Sequence, residues 1–245
     1  MLIKTTFGNA AIWYDSSVLD PVTPEIFAPD WLQQSGALVG SSQGRNAAYF
    51  LHYAGHDMVL RHFWRGGLIG KFNHDLYLRV PVARSRAMQE FMLLQWMRDQ
   101  GLPVPRPIAA RFQPAGVFYR ADIITGRIPN SRPMAECLEE NFLPPAIWRE
   151  TGRVIGSMHR IGVHHSDLNA RNILIENGKT VWLIDFDKCA QRKPGAWMEQ
   201  NLVRLKRSFD KEKGKLPRLH WDDDAWQTLL AGYREELAKG QLSYA

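Results

Sequence analysis

The segment 164–189, HHSDLNARNILIENGKTVWLIDFDKC, constrains the fold of this chain more than any other. At its centre Asn177-Gly178 lies between two short apolar, strand-like runs, 173–175 and 181–184. Asn-Gly is the strongest short signal for a two-residue hairpin loop, because both residues tolerate positive φ. The expected reversal is antiparallel and brings the two ends of the segment together. Asp167 and Asn172 precede the hairpin, and Asp185 and Asp187 follow it. Residues 18 positions apart thereby become neighbours.

Carboxylates gathered in this way repel one another unless a cation lies among them. One Asp and one Asn form a hard oxygen set that suits Mg²⁺ beside phosphates, since that ion takes few protein ligands and keeps its waters. A further Asp outside the set can accept a proton from an attacking hydroxyl. An acidic turn that merely caps two strands is the competing explanation.

The rest of the chain divides around this segment. Residues 1–35 are mixed and form an N-terminal extension, with turns around a short helix. From Gly36 the pattern predicts strands over about 36–40, 46–53 and 57–64, with Gly55-His56-Asp57 as the second turn. Met88, Phe91, Met92, Gln95 and Trp96 recur at helical spacing over 85–100, and Gly101 stands where a left-handed C-terminal cap belongs. Proline keeps LPVPRPIAARF extended, and GVFYRADIITGRIP predicts another strand with a short linker near Asp122–Gly126. These elements make a first lobe over 36–128. Residues 129–245 form a second, mainly helical lobe. In it Ile147, Thr151, Val154, Ile155, Met158 and Ile161 share one helix face. Two later helices carry Trp197, Leu202, Leu205 and Phe209, and the acidic start WDDDAW. The predicted class is α+β, with an antiparallel sheet and one helix in the first lobe.

HSDLNARN resembles the kinase catalytic-loop pattern H-R-D-L-x-x-x-N, with Ser166 in place of Arg. IDFD resembles the metal-binding D-F-G, with Asp187 in place of Gly. The resemblance implies a protein-kinase-like, two-lobed fold. It makes Asp167 the base that orients the acceptor hydroxyl, and Asn172 and Asp185 the holders of Mg²⁺ beside ATP. In the first lobe, Gly40 and Gly44 in GSSQGRNAAYF then stand where backbone N–H groups approach phosphates, although two glycines so spaced also make an ordinary turn. A cation on the third strand should pair with a helix glutamate, for which Glu90 is the candidate. Arg61, in the strand, and Lys71, in the glycine-rich segment beyond it, both qualify as ATP-binding cations. The strand position favours Arg61. A solvated helix face is the competing explanation for Glu90.

No A-P-E follows Asp185, and only about a dozen residues separate it from the helix near Trp197. That is too short for a regulated, peptide-docking activation segment and points to a constitutively competent small-molecule or lipid-linked kinase. The stretches VLRHFWRGGLIGK, SRAMQEFMLLQWMRDQGLPVPRPIAAR, DLNARNILI and VWLIDFDKC are similar to the lipopolysaccharide core kinases, most closely those acting on 3-deoxy-D-manno-octulosonic acid (Kdo). With the glycine loop the similarity spans about 36–189. It implies transfer of the ATP γ-phosphate to a Kdo hydroxyl, position 4, on a Kdo-bearing lipid A precursor. It also implies peripheral placement on the anionic cytoplasmic face of the bacterial inner membrane. Another kinase of the same fold, acting on a protein or other small molecule, and a non-catalytic pseudokinase remain alternatives.

Composition fits without choosing. The 245 residues carry a net charge of +6, which attracts phosphates of any kind. No nucleic-acid-binding motif accompanies it, and no nucleic-acid partner is expected. Arg204, Lys206, Arg207, Lys211, Lys213 and Lys215 cluster in NLVRLKRSFDKEKGK, where a solvated helix face is the simpler explanation. Cys137 and Cys189 lack metal or disulfide spacing and are expected to be reduced thiols in a cytoplasmic protein. The first residues lack the apolar run of a signal peptide, and no run reaches membrane-spanning length.

Overall fold

A computed structural model describes residues 1–42, 48–65 and 75–242 of the chain, with side chains as far as 239. Two compact units emerge. The first comprises residues 1–95 and 105–127, the second 96–104 and 128–245. Six α-helices lie among the described residues, together with sheets whose pairings are all antiparallel. Among those residues no helix is long and apolar enough to cross a membrane.

The first unit is built on one sheet, of strands β1 (Leu2–Phe7), β2 (Ala10–Asp15), β3 (Leu38–Ser41), β4 (Ala48–Tyr53), β5 (His56–His62), β6 (Tyr77–Leu78), β7 (Pro107–Ala115) and β8 (Phe118–Gly126). Their order is β1-β2-β7-β8-β5-β4-β3, with β6 also on β8. The predicted strands are present, and β1 and β2 extend the sheet beyond them. Ala10, Ile12, Trp13 and Tyr14 are all buried, so β2 has no polar face and shows none of the alternation by which strands are recognised. The turn predicted at 55–57 falls one residue earlier. Tyr53 pairs with His56, and Ala54 and Gly55 both take positive φ, 51° and 75°, as a two-residue loop of type I′ requires. Helix α1 (Pro29–Gln34) packs Leu32 into the core beneath the sheet, beside Ile12, Ile26 and Leu60. Helix α2 (Arg86–Asp99) follows the predicted course, and Gly101 at φ 79° closes it while Leu102 N–H donates to Met97 C=O.

In the second unit, α3 (Met134–Glu140), α4 (Pro145–Arg160), α5 (Trp197–Lys215) and α6 (Asp223–Leu242) surround small sheets. Strands β9 (Ser131–Pro133), β11 (Ile173–Glu176) and β12 (Thr180–Leu183) form one sheet, and β10 (Val163–His164) with β13 (Ala190–Gln191) another. Helices α4 and α6 meet backbone to backbone. A Cβ added at Gly152 would lie 1.9 Å from Leu229 O, and one at Gly232 would lie 2.0 Å from Arg149 O. Glycine at both positions is therefore what permits this approach.

Candidate active site

The hairpin forms as its central dipeptide dictates. Asn177 and Gly178 take φ of 51° and 67°, Lys179 N–H donates to Glu176 C=O at 2.9 Å, and Ile173 pairs with Leu183. Glu176 pairs with Thr180, so the loop is one residue longer than the predicted two. Ile184 N–H donates to Asn172 C=O at 3.0 Å, which sets Asp185 immediately beyond Asn172. Two asparagines shape the loop before the hairpin. Asn169 and Asn172 both donate from Nδ2 to Asp167 C=O, at 2.9 and 3.0 Å, and Asn169 Oδ1 accepts from the N–H groups of Arg171 and Asn172. Asp167, Asn172 and Asp185 are thus gathered in one part of the second unit.

The departures from the kinase patterns have local explanations. Ser166, in the arginine place, donates from its hydroxyl to Asp187 C=O at 2.7 Å, and its N–H donates to Cys189 Sγ at 3.2 Å. The segment after Asp185 is therefore tied directly to the loop. Left-handed backbone falls at Asp185 (φ 65°) and Lys188 (φ 59°), not at Asp187. No glycine is needed at 187 on conformational grounds.

Buried groups fix the loop from beneath. His165 lies fully buried; its Nε2–H donates to Ile184 C=O at 3.0 Å, and its Nδ1 accepts from Asp167 N–H at 3.2 Å. Asn201 of α5 donates to His165 C=O and accepts His165 N–H. Asn201 Oδ1 also faces His159 Nε2 at 3.2 Å, and Tyr233 Oη faces His159 Nδ1 at 2.9 Å. An amide oxygen only accepts, so His159 carries its proton on Nε2 and accepts the tyrosine hydroxyl at Nδ1. Burial, the dominant cause, brings the His159 pKa down to about 4 and lowers that of His165. Both rings are neutral spacers.

Helix α5 acts as a splint along this loop. Asn201 holds His165, Arg204 Nη1 lies 3.2 Å from Asp167 Oδ1, Ser208 Oγ accepts Ala170 N–H at 2.9 Å, and Glu212 pairs with Arg171 at 2.8 Å. These positions, spaced by three or four, share one helix face. Sequence reasoning placed Arg204 among the solvated charges of α5. Helical spacing shows which residues share a face but not what that face meets.

In the first unit, Arg61 on β5 pairs with Glu90 of α2, and Glu90 is 3% exposed. The solvated-face explanation for Glu90 therefore does not hold. Gly40 lies in β3 opposite Phe50, and a Cβ there would make only an ordinary 3.5 Å contact with that ring. Gly44 and Lys71 lie outside the described residues. The linker expected at Asp122–Gly126 is corrected: these residues run inside β8, paired to β5 on one side and β7 on the other. Their backbone groups are committed to the sheet. Asp122 is buried between His62 Nδ1 at 2.7 Å and Arg111 Nε at 2.8 Å.

Comparison with known proteins decides the family. The model of the lipopolysaccharide kinase (Kdo/WaaP) family matches residues 29–233. The chain belongs to this family. A 3-deoxy-D-manno-octulosonic acid kinase of Vibrio vulnificus (strain YJ016) is 40% identical over 236 residues, which cover 96% of this chain and 100% of that protein. One of Haemophilus influenzae (strain PittEE) is 42% identical over 219 residues, 86% of this chain and 90% of that protein. Among solved structures, WaaP in complex with acyl carrier protein aligns with a TM-score of 0.55 at 16% identity, over 90% of this chain and 92% of that one. At that identity the fold is what is shared.

Membership in a lipopolysaccharide kinase family makes the chain a kinase of lipopolysaccharide core assembly, with ATP as phosphate donor. Among the described residues no three His, Cys, Asp or Glu side chains converge as metal ligands. The oxygens near the hairpin are of another composition. Asn172 spends its Nδ2 on Asp167 C=O, which turns Oδ1 to the opposite side of the amide, and Asp185 adds a carboxylate. One amide oxygen and one carboxylate are few and hard, a donor set that would suit Mg²⁺.

Proposed function

We propose that the protein transfers the γ-phosphate of ATP to a Kdo hydroxyl, position 4, of a Kdo-bearing lipid A precursor. The gathering of Asp167, Asn172 and Asp185 by the hairpin carries this reading, together with relatives named as Kdo kinases over nearly the whole chain. Asp167 accepts a hydrogen bond from the sugar hydroxyl and takes its proton. The hydroxyl oxygen forms the new bond to γ-phosphorus, the bond to the β–γ bridging oxygen breaks, and ADP leaves. Asn172 and Asp185 hold Mg²⁺, whose charge neutralises the phosphate oxygens when it is bound. His165, Ser166 and the α5 face hold the loop that carries Asp167, which supports the reading of a constitutively competent site.

Within the first unit, the Arg61–Glu90 pair is the phosphate grip, with Arg61 chosen over Lys71 because a strand and a buried carboxylate fix its direction. Gly40, which no internal contact requires to be glycine, and Gly44 serve as the close-approach positions of the phosphate loop. The two units stand for the two lobes expected over 36–128 and 129–245, with 1–35 adding β1, β2 and α1 to the first and 96–104 grouped with the second. The protein works peripherally at the cytoplasmic face of the inner membrane, an anionic surface its positive charge favours. Incubation with γ-labelled ATP, Mg²⁺ and the Kdo-bearing precursor tests the reading. Label in the lipid fraction is expected; nucleotide binding without transfer favours the pseudokinase alternative.

A further inference from the structure

The groove beside Asp167 has a polarity that phosphoryl transfer itself does not require. It encloses about 960 Å³ and lies wholly within the second unit, along α5 and the loop 164–171. Arg171, Arg204, Arg207, Lys211 and Lys215 line it against the carboxylates of Asp167, Glu199 and Glu212. The charges are not equally committed. Glu212 is taken by Arg171 and Lys215, and the Arg171 hydrogen bond is the main cause that brings its pKa down to about 2. Arg204 leans on Asp167. Arg207 and Lys211 are exposed and have no carboxylate partner among the described residues.

Their spacing forms a track. Arg204, Arg207 and Lys211 fall at i, i+3 and i+7 of one helix face. At 1.5 Å per residue, Arg207 stands about 4.5 Å and Lys211 about 10 Å along the axis from Arg204. The track starts at the base and runs away from it.

The Arg204–Asp167 contact gives the track a chemical meaning. The Arg204 guanidinium lies 3.2 Å from Asp167 Oδ1, so an acceptor that brings its own carboxylate beside the reacting hydroxyl meets a cation there. A neutral acceptor offers Arg204, Arg207 and Lys211 no such partner. We propose, resting on the Kdo-kinase reading above, that this groove selects an anionic acceptor, with Arg204 and Arg207 seating the sugar carboxylate beside the accepting hydroxyl and Lys211 taking the next anionic group outward. The acid in the name 3-deoxy-D-manno-octulosonic acid supplies the first group, and a lipid phosphate is the second.

The test uses the full chain and an acceptor held in neutral detergent, so that no anionic surface competes. Steady-state constants are measured for the Kdo-bearing acceptor and for its carboxylate methyl ester, in the wild type, Arg207→Gln and Lys211→Gln, with Arg218→Gln outside the groove as control. Arg207→Gln is expected to raise the acceptor KM at least tenfold for the acid, leave the ester little changed, and leave the KM for ATP unchanged. Lys211→Gln is expected to raise both acceptor values alike, and to lose its effect on an acceptor stripped of lipid phosphate. Equal acceptor KM in wild type and both variants would overturn the groove while leaving the kinase reading standing. A wild-type protein that transfers phosphate to neither form overturns the Kdo reading itself, and the groove with it.

Discussion

A left-handed backbone at Asp185 costs roughly 1–3 kcal/mol, somewhat less for Asp than for most residues because its side chain tolerates this region. Such strain persists where a side chain must be aimed. Its neighbour across the hairpin, Asn172, is aimed instead by hydrogen bonding to Asp167 C=O. The roles proposed for Asp167 and Asp185 differ, and their variants should part accordingly. Asp185→Ala is expected to weaken Mg-ATP binding by calorimetry, whereas Asp167→Ala leaves nucleotide binding nearly intact while transfer falls by orders of magnitude. Equal nucleotide affinity in wild type and Asp185→Ala would remove it from the metal-holding pair. Beneath the loop, His159 contributes to stability through its neutral form. Its pKa is lowered from 6.5 to about 4 in the folded protein, chiefly by burial. As pH falls through 6.5 the unfolded chain takes up a proton that the folded chain refuses until about 4. Stability is therefore lost on acidification across that window, by about 2 kcal/mol at pH 5 from this group. Buried His165 adds in the same direction. Denaturant unfolding at pH 7 and pH 5 measures the loss, and a flat profile would contradict the neutral assignment.

Elements built on local rules were legible in the sequence. Asn177-Gly178 announced the hairpin, and the apolar spacing of 85–100 with Gly101 announced α2. Elements whose signal is erased by burial on both faces were not, β2 foremost, and Asp122–Gly126 passed as a linker because Asp, Thr and Gly are turn formers elsewhere. Asp122 belongs in a central strand only because His62 and Arg111 meet its carboxylate there, a long-range fact. The site divides the same way. Asp167, Asn172 and Asp185 follow from hairpin geometry, whereas Asn201, Arg204, Ser208 and Glu212 of α5 join it only through tertiary packing. The apparent face of α5 was its apolar one. On α4 the glycines give no sequence signal, because an absent side chain leaves no periodic mark. Gly152→Ala is expected to cost roughly 2–4 kcal/mol, since its methyl would meet Leu229 O of α6 and both backbones would have to part. Chemical unfolding checks this. A loss below about 0.5 kcal/mol, the range of ordinary surface changes, would mean that the helices separate readily.

At the scale of the whole molecule, a net charge of +6 brings the protein toward anionic surfaces without selecting among them. On the reading proposed above, selection falls to the second unit, where the loop that carries Asp167 and Asn172 adjoins the α5 groove. Fold likeness at 16% identity speaks to architecture, while about 40% identity over nearly the full length ties the chain to proteins named for Kdo. Mass spectrometry of a Kdo-bearing lipid A precursor, after incubation with Mg-ATP and either the wild type or Asp167→Ala, joins architecture to chemistry in one experiment. One added phosphate, localised to the Kdo sugar by fragmentation, is expected with the wild type and essentially none with the variant. A phosphate found on another part of the lipid, or equal yields from the two proteins, would contradict it.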